Sequence, residues 1–223
     1  MNCTYSALVN TAQVTPQQHT VSVAAPSNNV DLLTCYYTNA QSINNKFTEF
    51  KNFIDTVKPS IIGITETWCN DVTLAGNIHL EGYDLYRQDR ANQRGGGVMM
   101  YVKEHLSNTA CHELNDTGFQ DSIWATVDLG GGNVMLIGTC YRSPNSSEGN
   151  NQSLIELINA SSKVRGVTHF LLMGDFNLPQ IQWSSFNILG DDNSFASKFF
   201  ECTQDNFLVQ HIDFNTRFRG DHE

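Results

Sequence analysis

Short apolar runs separated by amphipathic stretches fill the chain from Leu32 onward. Apolar runs bounded by turn-forming residues predict buried strands, here at Leu32–Tyr37, Ile61–Ile64, Tyr83–Arg87, Val98–Val102, Ile123–Val127, Val134–Cys140 and Phe170–Met173. Apolar residues at helical spacing predict helices near Phe47–Val57, Leu154–Ser162 and Phe195–Thr203. Strands mostly follow one another, with helices irregularly interspersed. This order predicts an α/β fold of two stacked mixed sheets flanked by helices, rather than a regular βαβ array.

The first predicted helix has a clear apolar face and a clear end. Its apolar face carries Phe47, Phe50, Phe53, Ile54 and Val57. Pro59 cannot continue a helix, and the residue before a proline is pushed towards extended geometry. We therefore expect Lys58 to be extended and a short turn to lead into the next strand.

The first thirty residues differ in composition from the rest of the chain. They are rich in Thr, Gln, Ser, Asn and Val, and the first charged residue is Asp31. No packed element is obvious in such a stretch, which predicts a disordered arm over residues 1–30. The length of 223 residues suits one domain over 31–223,.

Charge and cysteine content narrow the possible functions. A formal net charge of −10 argues against a protein whose affinity rests on a large positive field around nucleic acid,. It does not exclude a nuclease, which gathers carboxylates around a cation and places a few basic residues along one rim. The six cysteines form no C-x-x-C pair, so reduced thiols are expected,. Neither a signal peptide nor a membrane span is evident, which predicts an intracellular protein that is not secreted and has no membrane partner.

The segment with the most chemical information follows the apolar run FLLM, where Gly174, Asp175, Phe176 and Asn177 occur in succession. A carboxylate and an amide two residues apart on a strand would point to the same face. Asp175 would then deprotonate a water, and Asn177 would donate hydrogen bonds to phosphoryl oxygens. The alternative is that Asp and Asn at a strand end only begin a turn.

Three other predicted strands also end in polar side chains. Glu66 follows one of them and is the hard oxygen ligand that suits Mg²⁺, unless it is a solvated strand-end residue,. Asn39 follows another, where its amide would contact a metal or its waters, or would begin the turn before the helix. Tyr141 and Arg142 follow a third, a phenol and a guanidinium suited to a phosphate,. Four such strand ends together favour a phosphate-processing site.

A glycine run and several aromatic and basic residues have more than one interpretation. The three glycines 95–97 precede an apolar strand without a following Lys-Ser/Thr, so a tight strand entry is favoured over a phosphate loop,. Arg87, Arg90 and Arg94 either contact DNA phosphate or are solvated. The tryptophans are expected in the core rather than as base-stacking platforms; they are Trp68, Trp124 and Trp183.

The chain resembles the endonuclease domain of LINE-type (non-LTR) retrotransposons, a branch of the endonuclease/exonuclease/phosphatase superfamily. The segments TNAQSINNK, ITETW, RGGGVMMYVK, CYRSPNSS, LLMGDFNLPQIQW and NTRFRG carry the resemblance in this order. The resemblance implies a four-layered α/β sandwich and Mg²⁺- or Mn²⁺-dependent nicking of DNA through its phosphate backbone. It also implies nuclear action and a reverse transcriptase domain in the same polyprotein.

The resemblance further implies a role for each matching residue. Glu66 would bind the metal with Asn39 beside it, and Asp175 would activate the water. Asn177 and Tyr141 would stabilise the phosphoryl group. The substrate-binding residues would be Arg142 and, in the segment NTRFRG, Thr216.

The resemblance breaks down near the C-terminus. Family members carry a further catalytic Asp and a Ser-Asp-His after the T-R-F-x-G segment, whereas this chain ends at Glu223. Asp221 and His222 follow Gly220 without an apolar strand, and we interpret them as a coincidence. The resemblance therefore predicts a domain that lacks its last strands and has impaired activity. The alternatives are a phosphomonoesterase or lipid phosphatase of the same superfamily, and a catalytically dead relic.

Overall fold

The computed structural model describes residues 5–10, 20–23, 33–90 and 95–212. Its strands are β1 Tyr5–Asn10, β2 Thr20–Val23, β3 Leu33–Asn39, β4 Ile61–Thr65, β5 Tyr83–Gln88, β6 Val98–Lys103, β7 Asn108–Ala110, β8 Ser122–Gly130, β9 Asn133–Tyr141, β10 His169–Asp175, β11 Ile181–Gln182, β12 Asn187–Ile188 and β13 Val209–Gln210. Its α-helices are α1 Phe47–Val57, α2 His112–Asn115, α3 Glu148–Ser161 and α4 Phe195–Asp205. Short 3₁₀ helices span Ala75–Ile78 and Trp183–Ser185.

The strands form two mixed sheets and a small hairpin. The five-stranded sheet has the order β2-β3-β4-β6-β5, and the six-stranded sheet has the order β13-β1-β10-β9-β8-β7. Strand β3 pairs in parallel with β4 in the first sheet, and β9 pairs in parallel with β10 in the second. Strands β11 and β12 form a separate antiparallel hairpin. Each sheet thus contains a parallel pair whose carboxyl ends lie at one edge.

Apolar side chains occupy three layers of core. The middle layer lies between the sheets and includes Met100, Ile137 and Leu171. A second layer packs α3 and α4 on the outer face of the six-stranded sheet, and a third packs α1 on the outer face of the five-stranded sheet. The order of layers is therefore helix, sheet, sheet, helix, and the predicted four-layered α/β sandwich is confirmed.

Helix α1 has the predicted bounds, but its end differs from the prediction. Phe50 and Ile54 are buried, as their spacing indicates. Lys58 is not extended: it has φ 51° and ψ 49°, and its N–H donates to the carbonyl of Ile54. A left-handed residue satisfies a carbonyl that the helix end leaves without a partner. This hydrogen bond outweighs the preference that Pro59 imposes on the residue before it.

Two strands lie within the first thirty residues, where the sequence predicts an arm without packed elements. Strand β1 pairs in parallel with β10, and β2 pairs antiparallel with β3. The register of β1 joins Tyr5 to His169, so its partner strand is remote in sequence and no local pattern discloses it. The division of the chain at residue 31 stays a prediction.

The cysteines of the described ranges are all buried. Five cysteines are buried free thiols: Cys35, Cys69, Cys111, Cys140 and Cys202. Burial raises the pKa of the Cys35 thiol to about 12. A protonated, buried thiol is a poor nucleophile and a poor metal ligand.

Among the helices of the described ranges, none has the length and hydrophobicity needed to cross a membrane.

Candidate active site

Four strand ends meet at one edge of the paired sheets. In the five-stranded sheet Asn39 lies beside Thr65, the residue before Glu66. In the six-stranded sheet Asp175 lies beside Tyr141. Because both strand pairs are parallel, their polar end residues gather at the same edge. The fold thus brings together the residues from which the sequence predicts a site.

The amide of Asn39 joins the two carboxylates across the gap between the sheets. Its Nδ2 donates to Glu66 Oε1 at 2.8 Å and to Asp175 Oδ2 at 2.9 Å. Its Oδ1 accepts from the backbone N–H of Gln41 at 3.2 Å, which fixes the orientation of the amide. Both hydrogen atoms of the Asn39 amide are therefore used, one for each carboxylate.

Glu66 lies on a strained turn that follows β4. Both Glu66 and Trp68 have positive φ, at 51° and 54°. The indole Nε1 of Trp68 donates to Glu66 Oε2 at 3.3 Å, so Trp68 lies at the site rather than wholly in the core. Non-glycine residues in this conformation cost roughly 1–3 kcal/mol each and concentrate at functional sites. Sequence reasoning missed the part played by Trp68, although it stands two residues after Glu66.

The glycine run holds this turn in place. The N–H of Thr67 donates to the carbonyl of Gly97 at 3.3 Å, and that of Trp68 donates to Gly96 at 3.0 Å. A Cβ atom at Gly97 would lie 2.6 Å from Thr67 Oγ1, closer than any side chain tolerates. The run is therefore a tight entry into β6, as predicted, and it also supports the Glu66 turn.

Asp175 is 1 % exposed and is held by hydrogen bonds to both oxygens. Oδ1 accepts from the backbone N–H of Asn177 at 3.1 Å, while Oδ2 accepts from Asn39. Strand β10 ends at Asp175, and Asn177 has φ 49°. The expected strand alternation therefore does not extend to Asn177. A side-chain-to-backbone turn places Asn177 beside Asp175 instead, and its Nδ2 donates to the carbonyl of Arg142 at 2.8 Å.

Tyr141 is a buried phenol next to Glu66. Burial raises its pKa above the usual value, and the charge of Glu66 and a hydrogen bond to it add to the effect. Desolvation and a nearby carboxylate both disfavour the phenolate. The hydroxyl of Tyr141 thus stays protonated and remains a donor.

An ion pair between Arg90 and Asp121 lies beside the ring of Tyr141. Arg90 Nε donates to both oxygens of Asp121, at 2.8 Å and 2.9 Å, and its Nη2 donates to Ser143 Oγ at 2.9 Å. The guanidinium carbon lies 5.7 Å from the centre of the Tyr141 ring, within cation–π range,. This ion pair raises the pKa of Arg90. Sequence reasoning missed Asp121, because its partner Arg90 lies 31 positions away along the chain.

Arg142, the residue after Tyr141, has only neutral hydrogen-bond partners. Its Nε donates to Asn151 Oδ1 at 2.7 Å, and Nη1 donates to the carbonyls of Phe176 at 3.1 Å and Asn177 at 3.4 Å. Its guanidinium carbon lies 4.7 Å from the ring centre of Phe195. Burial lowers the pKa of Arg142.

The sequence also suggested roles for Thr216, for the arginines and for the tryptophans. Thr216 and Arg94 lie outside the described residues. Arg87 forms an ion pair with Asp89 and donates to the carbonyls of Thr73 and Asn70. Trp124 is fully buried, as expected, and Trp183 packs against Phe200 with ring centres 5.6 Å apart.

The oxygen ligands at this edge of the sheets suit a hydrated divalent cation better than a metal held entirely by protein side chains. Within the described residues there is no group of three or more His, Cys, Asp or Glu side chains placed to hold a metal ion. One oxygen of Glu66 and one of Asp175 nevertheless lie 2.8 Å and 2.9 Å from the same atom, the Asn39 amide nitrogen, so the two carboxylates are close together. Mg²⁺ commonly binds one or two protein carboxylates and keeps several waters, so the residues present fit a hard divalent cation and do not form an all-protein cage.

Comparisons with known proteins give the chain a family and a fold. The endonuclease domain of TRAS1, a telomere-specific non-LTR retrotransposon, superposes with a TM-score of 0.57 at 13% identity, covering 77% of this chain and 71% of that one. The AP endonuclease LMAP from Leishmania major gives 0.59 at 15% identity, covering 77% and 66%. The 3′ phosphatase NExo from Neisseria, bound to a product DNA hairpin, gives 0.51 at 16% identity, covering 77% and 70%.

Sequence comparison with curated proteins gives no significant match. The model of the Endonuclease/Exonuclease/phosphatase family, in contrast, matches residues 36–222 and so spans the whole site. This match covers more than half of the chain. The chain therefore belongs to the endonuclease/exonuclease/phosphatase family.

Proposed function

We propose that this chain is a divalent-metal-dependent phosphodiesterase that nicks DNA, of the type found in non-LTR retrotransposons. The single observation that carries the proposal is the Asn39 amide, which joins Glu66 and Asp175 from separate sheets. Two carboxylates held around one point, with a protonated phenol beside them, match the needs of phosphodiester hydrolysis. These needs are a hard cation site, a base for water, and donors for developing negative charge.

Each side chain has a distinct part in the proposed reaction. Asp175 is the proposed base that accepts a proton from the attacking water. Tyr141 donates its one hydroxyl hydrogen to Glu66 in this structure, and in the proposed reaction it turns that hydrogen to a non-bridging phosphoryl oxygen,. Asn177 has a second amide hydrogen for the same purpose, because the first is used on the carbonyl of Arg142.

The residues that would hold the cation are Glu66 and Asp175, with Asn39 keeping their orientation. A bound divalent cation polarises the phosphoryl group and stabilises the charge that develops on the leaving oxygen. Mg²⁺ and Mn²⁺ both suit oxygen ligands of this type. Arg142 is the proposed contact to the DNA backbone.

The biological setting belongs to the same proposal. Non-LTR endonuclease domains suggest a DNA substrate, a nuclear site of action and a reverse transcriptase domain in the same polyprotein. The support is the motif order of the sequence together with the family membership. The similar structures include the TRAS1 retrotransposon endonuclease domain and NExo with a bound DNA product.

Nicking of supercoiled plasmid tests the proposal. With Mg²⁺ the chain should convert supercoiled to open-circular DNA, and chelation should stop the reaction. Asp175→Asn should lower the rate by roughly 100- to 1,000-fold, since removal of a general base or charge-stabilising group commonly has effects of this order. The matched control is Asp55→Asn, the same change on the exposed face of α1.

The outcomes separate the proposal from its alternatives. Release of inorganic phosphate from a phosphomonoester or a phosphoinositide without plasmid nicking would replace it with a phosphatase. Absence of both activities in a folded chain would favour a catalytically dead relic. Equal nicking by wild type and Asp175→Asn would mean that this site does not perform the reaction.

A further inference from the structure

Asp121 joins the two sheets at the same edge as Asn39, but through a charged group. It is the residue before β8 in the six-stranded sheet, and it is only 5 % exposed. Its Oδ1 accepts a hydrogen bond at 3.1 Å from the backbone N–H of Gly97, the residue before β6 in the five-stranded sheet. Because β6 and β8 begin where their antiparallel partners β4 and β9 end, this hydrogen bond lies at the edge that carries the proposed site.

The Gly97 end of this link leads to Glu66. The carbonyl of Gly97 accepts from the N–H of Thr67 at 3.3 Å. Thr67 is the residue after Glu66, which has a left-handed backbone with φ 51°. Strained backbone of this kind persists only where the surrounding structure holds it. The hydrogen bond between Asp121 and Gly97 therefore reaches the Glu66 turn through one intervening residue.

The other contacts of Asp121 lead to Tyr141. The backbone carbonyl of Asp121 accepts from the N–H of Tyr141 at 2.8 Å. Its carboxylate is paired with Arg90, whose guanidinium carbon lies 5.7 Å from the centre of the Tyr141 ring. Tyr141 is thus held at its main chain by Asp121 directly, and its ring is held through Arg90.

Gly96 leaves the space that the Arg90 guanidinium occupies. A Cβ atom at position 96 would overlap with Arg90 Nε and with its guanidinium carbon. Gly96 also has φ 69°, a conformation that favours glycine,. The glycine run therefore contacts both partners of the ion pair, Asp121 through the N–H of Gly97 and Arg90 through the open face of Gly96.

We infer that Asp121 is a positioning residue that fixes Glu66 and Tyr141 relative to each other. Its carboxylate holds the Glu66 turn through Gly97, while its carbonyl and its arginine partner hold Tyr141. The inference rests on the proposed function, in which Glu66 binds the cation and Tyr141 donates to the phosphoryl group. Residues that orient the ligands of a cation commonly change its affinity or the activity by roughly 10- to 100-fold when they are replaced.

Hydrogen exchange at one amide tests the link between the sheets. In the metal-free wild type the Gly97 amide should be protected from exchange, because its hydrogen is bonded to a buried carboxylate,. Asp121→Ala should remove this protection, as followed by NMR of the full chain. A Gly97 amide that exchanges freely in the wild type would overturn the inference, whether or not the variant folds.

Side-chain signals of the same metal-free samples report the two positioned residues. The indole Nε1–H of Trp68 donates to Glu66, so its signal should move in Asp121→Ala. The ring signals of Tyr141 should move as well, since Arg90 loses its anchor beside the ring. Trp68→Phe identifies the indole signal among those of the three tryptophans. Unchanged indole and ring signals in a folded Asp121→Ala would overturn the inference.

Two controls separate positioning from loss of stability and from charge. Leu157→Ala removes a buried side chain from the core layer on the outer face of the six-stranded sheet, and it destabilises the fold to a similar extent,. It should leave the Trp68 signal in place. Arg90→Gln/Asp121→Ala conserves the net charge, because it removes one positive and one negative group, but it lacks both links.

Mn²⁺ binding, followed by electron paramagnetic resonance of the free ion, measures the consequence for the proposed cation ligand. Asp121→Ala and the charge-conserving double variant should each bind Mn²⁺ about tenfold more weakly than the wild type, whereas Leu157→Ala should bind it within about twofold. Wild-type affinity in either Asp121 variant would overturn the inference, since the carboxylate would then have no effect on Glu66 or would act only through its charge. Equal weakening in Leu157→Ala would overturn it too. Failure of the proposed function has a different signature, because the plasmid would stay supercoiled while the order of Mn²⁺ affinities and the metal-free spectra remain as expected.

Discussion

Arg90 contacts the ring of Tyr141 and Arg142 follows Tyr141 in the chain, and the surroundings of the two arginines differ in one respect. The Arg90 side, made of Arg90, Asp121 and Ser143, contains its own countercharge. The Arg142 side, made of Arg142, Asn151 and Phe195, contains only neutral partners. A cation neutralised inside the protein holds other groups in position, whereas a cation without a countercharge is available to an anion. We therefore expect the Arg90 side to be structural and the Arg142 side to meet substrate.

The largest expected effect concerns the Arg142 side. Arg142→Gln should lower plasmid nicking by about 100-fold, because a charged donor to a phosphate is lost and oriented donors commonly contribute this much. Arg87→Gln, which removes an arginine that is ion-paired with Asp89, should leave the rate within about threefold as a control,. Nicking rates at saturating Mg²⁺ measure both. Equal losses in the two variants would remove the distinction between the arginines.

Removing one partner of the Arg90–Asp121 ion pair should lower the stability of the fold more than it lowers the activity. Asp121→Asn leaves the partly buried Arg90 without its carboxylate, and loss of one partner of a largely buried pair costs about 3 kcal/mol,. The loss is measured as the change in the free energy of unfolding by urea. The double variant Arg90→Gln/Asp121→Asn should recover part of it, since no unpaired charge remains. A double variant as unstable as the sum of the singles would show that the two residues act independently.

The sequence predicted the bounds of the strands that carry the site more accurately than it predicted the contacts between them. Apolar runs gave β3, β4, β9 and β10 nearly to the residue, because burial on both faces leaves a continuous hydrophobic pattern. The juxtaposition of Asn39 with Asp175 spans 136 positions and depends on how the two sheets stack. Nothing local encodes that packing; only the family resemblance predicted it.

The failures of sequence-based prediction share a physical cause. Lys58 and Asn177 both adopt left-handed backbone, where one specific hydrogen bond outweighs the local preference. Asp121 stands in no motif, and Trp68 stands in the segment ITETW without a role assigned to it; their roles come from contacts to Arg90 and Glu66. Hydrophobic periodicity cannot identify such residues. Each of them is held near the site by a single contact that is distant in sequence or does not repeat along the chain.

Alkaline titration gives a smaller effect that probes Tyr141. The pKa of Tyr141 is raised in the folded state, so the folded chain holds the phenol proton more tightly than the unfolded chain. The resulting stabilisation is complete below the ordinary tyrosine pKa and is lost as pH rises through the folded one. The free energy of unfolding should therefore fall above about pH 10, by up to about 1.4 kcal/mol per pH unit for this residue.

Tyr141→Phe isolates this contribution. The variant should lose stability less steeply than the wild type in the same pH range. Tyr83→Phe serves as a comparison, because burial raises the pKa of Tyr83 to about 12 at a position away from Glu66. Identical slopes for wild type and Tyr141→Phe would mean that the phenol is not held as the structure implies.

Cation binding tests the central claim most directly, since it needs no turnover. Titration of the wild-type chain with Mn²⁺, followed by electron paramagnetic resonance of the free ion, should reveal one bound ion. Glu66→Gln and Asp175→Asn should each weaken its binding by roughly tenfold or more, because each removes a charged oxygen ligand. Asp55→Asn should leave it unchanged. Mn²⁺ binding that persists at wild-type strength in both carboxylate variants would contradict a cation site built around Asn39.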